Sequence, residues 1–446
     1  MRPFLCPTVV VLLLGAGILH ADNASLQGTA LKDRTAEVKK RIDAEYGTLE
    51  AMYKHIHANP ELSLQELQTS ARLAKELKGL GFEVTEKVGG TGVVGVLKNG
   101  KGPTVLVRTD MDALPIVEQT GLPYASKVQV RDKNGNAVGV MHACGHDMHM
   151  TCWVGAARVL AAMKDRWQGT LVFIAQPAEE IGQGAKAMLN DGLYEKFPRP
   201  DYALALHCDS RTPHGQLSYT EGFALANVDS VDITVRGKGG HGSAPHMTID
   251  PVVLAARIVL DLQTIVSRER DPFDPAVVTV GSIHGGTKHN IIPPEVKLQL
   301  TVRTTNDKTR KEVLEGIARI AKAAAAGARA PEPLVEHNPL EFTPATINDI
   351  PLTRKTAAVL KEALGEENVK SRPAVLGGED FGRYAGAGDK KIPVFLFWLG
   401  TVPAERLKAG AEPLSLHSDA YYPVPEPSIK TGVLGMSLAV LNLVGK

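Results

Sequence analysis

The apolar and polar positions of this chain fall into two rhythms. From about residue 32 to 80, apolar residues recur at helical spacing, and "PELSLQELQTSARLAKELKGLG" closes its run at Gly79 and Gly81, so two helices are predicted there. Short apolar runs follow, bounded by glycine, proline and charge. "GVVGVLK", "PTVLVRTD", "GTLVFIAQ" and "DYALALH" read as buried strands, and "GHDMHMTCWVGAARVLAAMKD" reads as a helix between two of them. Alternation of this kind predicts an α/β sheet covered by helices.

Near residue 226 the rhythm changes. "SVDITVRGKGG", "AVVTVGSIHGG" and "EVKLQLTVRTT" read as strands, "DPVVLAARIVLDLQTIVS" and "TRKEVLEGIARIAKAAAAGA" as helices, and a further strand is expected near "PLVEHNPLEFT". The order β-α-β-β-α-β is that of a ferredoxin-like unit. From about residue 345 the first rhythm returns, with a helix at "DIPLTRKTAAVLKEALG" and a strand at "IPVFLFWLG". The expected organisation is one larger α/β domain in two parts, 32–225 and 341–446, with a small α+β domain, 226–340, inserted between them. A length of 446 residues suits two such cores.

The first 21 residues stand apart. Arg2 precedes an apolar run from Val9 to Leu19, then small and polar residues, which is the layout of a secretory signal peptide. The run is short for a membrane span. Cleavage is expected near Ala21 or Ala24, leaving a secreted or periplasmic protein with no stable membrane span. Cys6 would leave with the leader, and Cys144, Cys152 and Cys208 would remain. An odd number of cysteines in an exported chain argues against a full disulfide framework and points to a thiol with another task. The formal net charge of +1, with no sustained basic run, argues against a nucleic-acid partner.

The candidate chemistry gathers at strand ends, where open α/β sheets place their sites. "PTVLVRTDMD" ends at Asp110 and Asp112, "GTLVFIAQPAEE" at Glu179 and Glu180, and "DYALALHCD" at His207. "MHACGHDMH" places Cys144 and His146 at a helix start, and "SLHSDAYYP" places His417 beyond the last strand. Cys144, His146, Glu180, His207 and His417 are too many for a single four-coordinate site with an open position. They suit two divalent metals roughly 3.5–4 Å apart. Thiolate favours zinc, cobalt or nickel, and carboxylate with imidazole also admits manganese. His142 and His149 read as supports, and Asp147 as a helix cap or a group that holds a ligand in place. Of the adjacent pair Glu179 and Glu180, one could bind metal while the other faces substrate. In the predicted insert, "GKGGHGSAPH" presents His241 on a glycine-rich turn, which suits a lid residue.

The blocks "RTDMDALP", "MHACGHDMH", "QPAEE", "GGHGSAPH", "HNIIP", "GGEDFG" and "LHSDAYYP" resemble, in order and number, the amidohydrolase branch of the two-metal aminoacylase and carboxypeptidase G superfamily. Relatives there include hippurate hydrolases, N-acyl-amino-acid amidohydrolases and auxin-conjugate hydrolases. The resemblance covers about residues 45 to 440 and implies a mixed-sheet two-metal catalytic domain with a ferredoxin-like lid and dimerisation domain. It implies the same five ligands, Glu179 as general base and Asp110 as support for the metal centre. His241 would reach toward the scissile carbonyl, often in a partner subunit's site. Asn290, Arg303, Gly377 and Gly378 would hold the substrate's carboxylate. The implied reaction is hydrolysis of an N-acyl or N-aroyl amino acid by a homodimer. A dipeptidase or exopeptidase is the nearest alternative, and a metal-free binding protein a more distant one. Two positions depart from the wider pattern: Arg108 stands where the superfamily carries histidine, and Asp419 where many relatives have proline.

Overall fold

The strand Thr104–Asp110 shows how the larger sheet is built. Val105 and Val107 join the apolar cluster on one face, and Leu106 joins the cluster on the other. Its neighbour Gly169–Gln176 splits the same way, with Leu171 and Phe173 on one side and Val172 and Ile174 on the other. Strands covered on both faces read as unbroken apolar runs. In this computed structural model the described residues are 27–131, 135–388, 390–408 and 414–446. The leader at 1–21, its cleavage point and Cys6 lie outside them.

Eight strands form the sheet, in the order 83–88, 92–99, 169–176, 104–110, 202–213, 394–402, 217–219 and 369–371. The four central strands, from 169–176 to 394–402, run parallel. Strands 83–88 and 92–99 are antiparallel additions, so the sheet is mixed. Helices Gly28–Ala58, His146–Ala162 and Pro425–Val444 contribute to the apolar cluster on one face. Pro425–Val444 is long and apolar enough to cross a membrane, yet 89% of its most apolar window is buried in this core. Its uniform apolarity carries no helical stripe, which is why the pattern above predicts no helix there.

A second sheet has the strand order 276–285, 295–304, 227–236, 334–337, with every pair antiparallel. Helices Pro251–Thr264 and Asp307–Gly327 share its apolar cluster. In chain order this is second, third, first, fourth, a ferredoxin-like arrangement. Asp250 caps the first helix by accepting from Val252 and Val253, with Pro251 at the first position, where its missing N–H costs nothing. The two connections to the larger sheet run side by side. The Val228 N–H donates to the Thr343 carbonyl (2.9 Å), and the Ala345 N–H donates to Asn227 (2.7 Å).

Candidate metal centre

Strand register sets the site. Asp110 lies opposite Gln176, and Arg108 lies opposite Ala205, which brings His207 level with Asp110 across neighbouring parallel strands. The chain leaves strand 169–176 into a tight turn that carries Glu179 and Glu180, with Ala178 in the left-handed region at φ 51°. Cys144 and His146 enter from the start of helix His146–Ala162. Between them Gly145 adopts φ 81°, and a Cβ there would lie 2.9 Å from the Cys208 sulfur, so glycine alone fits. His417 also has positive φ, and its N–H donates to the Ala143 carbonyl (2.8 Å), which ties the late loop to the cysteine loop.

Five side chains thereby converge. Cys144, His146 and His207 form one group whose donor atoms lie within 4.8 Å of one another, and Cys144, Glu180 and His417 form a second. The two groups share the cysteine sulfur. Cys144 Sγ lies 3.5 Å from His207 Nε2, and His417 Nε2 lies 3.5 Å from Glu180 Oε2. His146 Nε2 stands 3.8 Å from carboxylate oxygens of both Glu179 and Glu180. His146 Nε2 and Glu180 Oε1 are buried with no hydrogen-bond partner among the described residues. Buried polar atoms are normally satisfied, and a thiol, three imidazoles and a carboxylate aimed at one point fit divalent metal. Burial pushes the Cys144 thiol well above its ordinary range, and Glu180 and Glu179 push it further. Positive charge at the cluster would reverse that and favour the thiolate. Burial also raises Glu179 well above the usual carboxylate range, helped by Glu379 and Glu180.

Behind the cluster lies a layer of buried ionic contacts. Arg108 is fully buried and donates to Asp110 (2.7 Å), Glu379 (2.9 Å) and Gln176 (3.0 Å). Asp110 also receives His149 Nδ1 (2.7 Å), and the other nitrogen of that ring accepts from the Cys208 N–H (2.7 Å). His149 therefore has both nitrogens engaged and supports Asp110. His146 Nδ1 donates to the Asp112 carbonyl (2.8 Å), which directs Nε2 toward the cluster. The Asp112 carboxylate accepts from the N–H groups of Glu179 (3.1 Å) and Glu180 (3.0 Å) and from the Ser63 hydroxyl (2.6 Å). Asp147 engages His57 Nδ1 at 2.6 Å and accepts from its neighbour Met148. His142 is buried, and neither ring nitrogen has a partner among the described residues.

The roles of Asp112, Ser63 and His57 were hidden from sequence reasoning, and "GGEDFG" carried a different emphasis. There the carboxylates of Glu379 and Asp380 face Arg108, in addition to any amide the loop offers. A cavity of about 620 Å³ opens from Cys144, Glu179, Glu180, His207 and His417 toward the second sheet, where Val228, Ser230 and Arg303 complete its wall. Gly378 also lines it, and a Cβ there would meet Val228 at 2.6 Å. Gly377 does not line it, and its carbonyl accepts from Ala226. His241 and Asn290 are brought together, since His241 pairs with Ile291 and the Gly242 N–H donates to the Asn290 carbonyl (2.8 Å). Both are exposed and outside this cavity's lining. Cys144, Cys152 and Cys208 are all free thiols.

A mixed α/β sheet with a cluster of potential metal ligands and paired carboxylates at its carboxyl edge fits a metal-dependent hydrolase. The chain belongs to peptidase family M20/M25/M40, whose family model matches residues 106–419. It is 41% identical over 339 residues to a hippurate hydrolase of Campylobacter jejuni, covering 75% of this chain and 84% of that one. It is 36% identical over 399 residues to thermostable carboxypeptidase 2 of Saccharolobus solfataricus, covering 88% of this chain and 94% of that one. The crystal structure of the Bacillus subtilis YXEP protein, a dinuclear metal binding peptidase of the M20 family, superposes with a TM-score of 0.71. Identity there is 31%, and the alignment covers 90% of this chain and all of that one.

Proposed function

We propose that this enzyme hydrolyses the amide bond of N-acyl or N-aroyl amino acids, releasing a carboxylic acid and a free amino acid. The carrying observation is a cavity lined both by Glu179 with four of the five cluster residues, Cys144, Glu180, His207 and His417, and by Arg303. Arg303 makes no ion pair among the described residues, and burial lowers its pKa, as expected of a cation held out of water. A free α-carboxylate beside the scissile amide matches that charge. The relation to a hippurate hydrolase supports an N-acyl amino acid as substrate. The relation to a carboxypeptidase favours a second reading, release of a C-terminal residue from a short peptide, because the same carboxylate and amide are present.

Cys144, His146, Glu180, His207 and His417 would hold two divalent metals, whose chemistry would be to polarise the carbonyl and acidify a water. Glu179 would accept a proton from the attacking water and return one to the leaving amine. Asp110, fixed by Arg108 and His149, stands beside His146 Nε2 at 3.7 Å and holds the centre's charge balance. Arg303 orients the substrate by its carboxylate, and Gly378 leaves room beside it. His241 and Asn290 would act from a partner subunit after closure of the second domain as a lid. Exposed Val252, Val253, Leu260 and Phe273 on that domain support pairing with a second copy. The leader supports an exported enzyme.

The test is a hydrolysis screen of N-acetyl and N-benzoyl amino acids against dipeptides, with Zn, Mn, Co or Ni added to metal-stripped protein. Turnover of N-acyl amino acids with two bound metals per chain is expected. Turnover of dipeptides alone would favour the peptidase reading, and absence of bound metal would sink both.

A further inference from the structure

The catalytic turn is pinned from a segment that lies outside the family-matched region. Residues 61–66 follow the first long helix and run beside Asp112, since the Ala113 N–H donates to the Glu61 carbonyl (2.8 Å). Glu66 is completely buried. Its Oε1 accepts from the N–H groups of Ala178 (2.8 Å) and Leu64 (3.0 Å), and its Oε2 accepts from the Thr91 hydroxyl (2.7 Å). Asp112 receives the next two N–H groups, those of Glu179 and Glu180. Three consecutive amides, 178 to 180, therefore end on two buried carboxylates. The two non-glycine residues whose N–H groups Glu66 accepts, Leu64 (φ 67°) and Ala178 (φ 51°), are both in the left-handed region. Such conformations persist only where the surroundings over-determine them.

We infer that Glu66 is a positioning residue for amide hydrolysis, holding Ala178 in its left-handed turn so that the Glu179 carboxylate faces the cavity. This rests on the reading of Glu179 as the base. Glu66 does not line the cavity. Its task is geometric, because a glutamine could do the same work. The amide oxygen would accept both N–H groups, and the amide nitrogen would donate to Thr91. Aspartate, one methylene shorter, would not reach Ala178.

The test compares Glu66→Asp and Glu66→Gln in the full-length, metal-loaded enzyme, with hippurate as probe and with hydrogen exchange at the Ala178 amide as a readout independent of turnover. Glu66→Asp should lower kcat about 100-fold, the scale of an ångström-sized misplacement. KM should stay within about threefold, and exchange at Ala178 should accelerate. Glu66→Gln should restore both slow exchange and most of kcat. Wild-type kcat in Glu66→Asp, or a Glu66→Gln variant as slow as Glu66→Asp, overturns the inference. So does a loss of kcat with Ala178 still protected. If Glu66→Asp does not fold, Thr91→Val releases only Oε2 and should lower kcat several-fold, and unchanged kcat there overturns the inference. Glu179→Gln runs alongside. If it keeps full turnover the base assignment fails, while exchange at Ala178 still decides whether Glu66 holds the turn.

Discussion

Glu179 and Cys144 sit 3.8 Å or less from other members of the cluster, and the proposed mechanism asks opposite things of them, one exchanging protons and the other giving its proton up. Glu179→Gln keeps the shape of the side chain and cannot accept a proton. It should lower kcat by about 10²–10⁴-fold, the usual worth of a general base, with metal content unchanged. Retention of more than about a tenth of the rate would remove Glu179 from that role. Cys144→Ser should lower metal occupancy and activity together, because a hydroxyl remains protonated where a thiol can ionise. Since both three-donor groups use this sulfur, the loss should approach two metals per chain rather than one. Atomic absorption on dialysed protein reads this directly, and full occupancy would contradict a shared ligand. Arg108 offers a stability test. It pairs at once with Asp110, Glu379 and Asp380, and removing one partner of a buried ionic group costs about 3–5 kcal/mol. Arg108→Leu should therefore lower the thermal midpoint strongly, and an unchanged midpoint would show that the carboxylates take up protons at little cost.

At the scale of elements, the helix that carries His146 is braced by His57 on the first long helix. His57 lies between Asp147 (2.6 Å) and Glu118 (3.0 Å), against the rings of Tyr53 and Tyr124. Burial alone would lower its pKa, but the hydrogen bonds to Asp147 and Glu118 outweigh that and raise it to about 9. A raised histidine stabilises the fold fully below its ordinary value of 6.5, and the contribution is lost as pH rises through about 9. The thermal midpoint should thus fall between pH 6.5 and 9.5 more steeply in the wild type than in His57→Gln. Parallel curves would mean that His57 is neutral in the folded protein. Asp147 was legible as a helix cap or a supporting group, but its partner His57 was not, because the two are 90 residues apart and His57 does not stand out from its helix. The central strands were legible, since burial on both faces makes them apolar blocks. The short strands at 217–219 and 369–371 exist through pairing rather than pattern. Cys144, His146, Glu180 and His207 were legible because they follow strand ends or stand at a helix start, and His417 because it stands in a chemistry-bearing block beyond the last strand. Glu66 was not, because its hydrogen bond to Ala178 spans 112 positions within what reads as an ordinary helix start.

Across the whole molecule, the cavity is bounded by both sheets, yet His241 and Asn290 lie exposed at a separate two-stranded ribbon, 240–241 against 291–292. Within a single chain, His241 does not line the cavity that holds Glu179. A homodimer formed through the second domain would resolve this if each copy lent His241 to the other's site. His241→Ala should then lower kcat strongly while metal content and fold stay constant, since the residue belongs to neither donor group. That result alone would not say whose site His241 serves. Mixing His241→Ala protein with Glu179→Gln protein does. In a hybrid dimer one site combines intact Glu179 from one chain with intact His241 from the other, and the second site lacks both. Random exchange of equal amounts makes half of the dimers hybrid, each with one working site. Activity should recover to about a quarter of wild type, as expected for complementary halves of a symmetric pair. Recovery must follow the kinetics of subunit exchange and vanish when exchange is blocked by a cross-link formed beforehand. No recovery after confirmed exchange would place His241 in its own chain's site, reached by closure about the paired connections at 227–228 and 343–345.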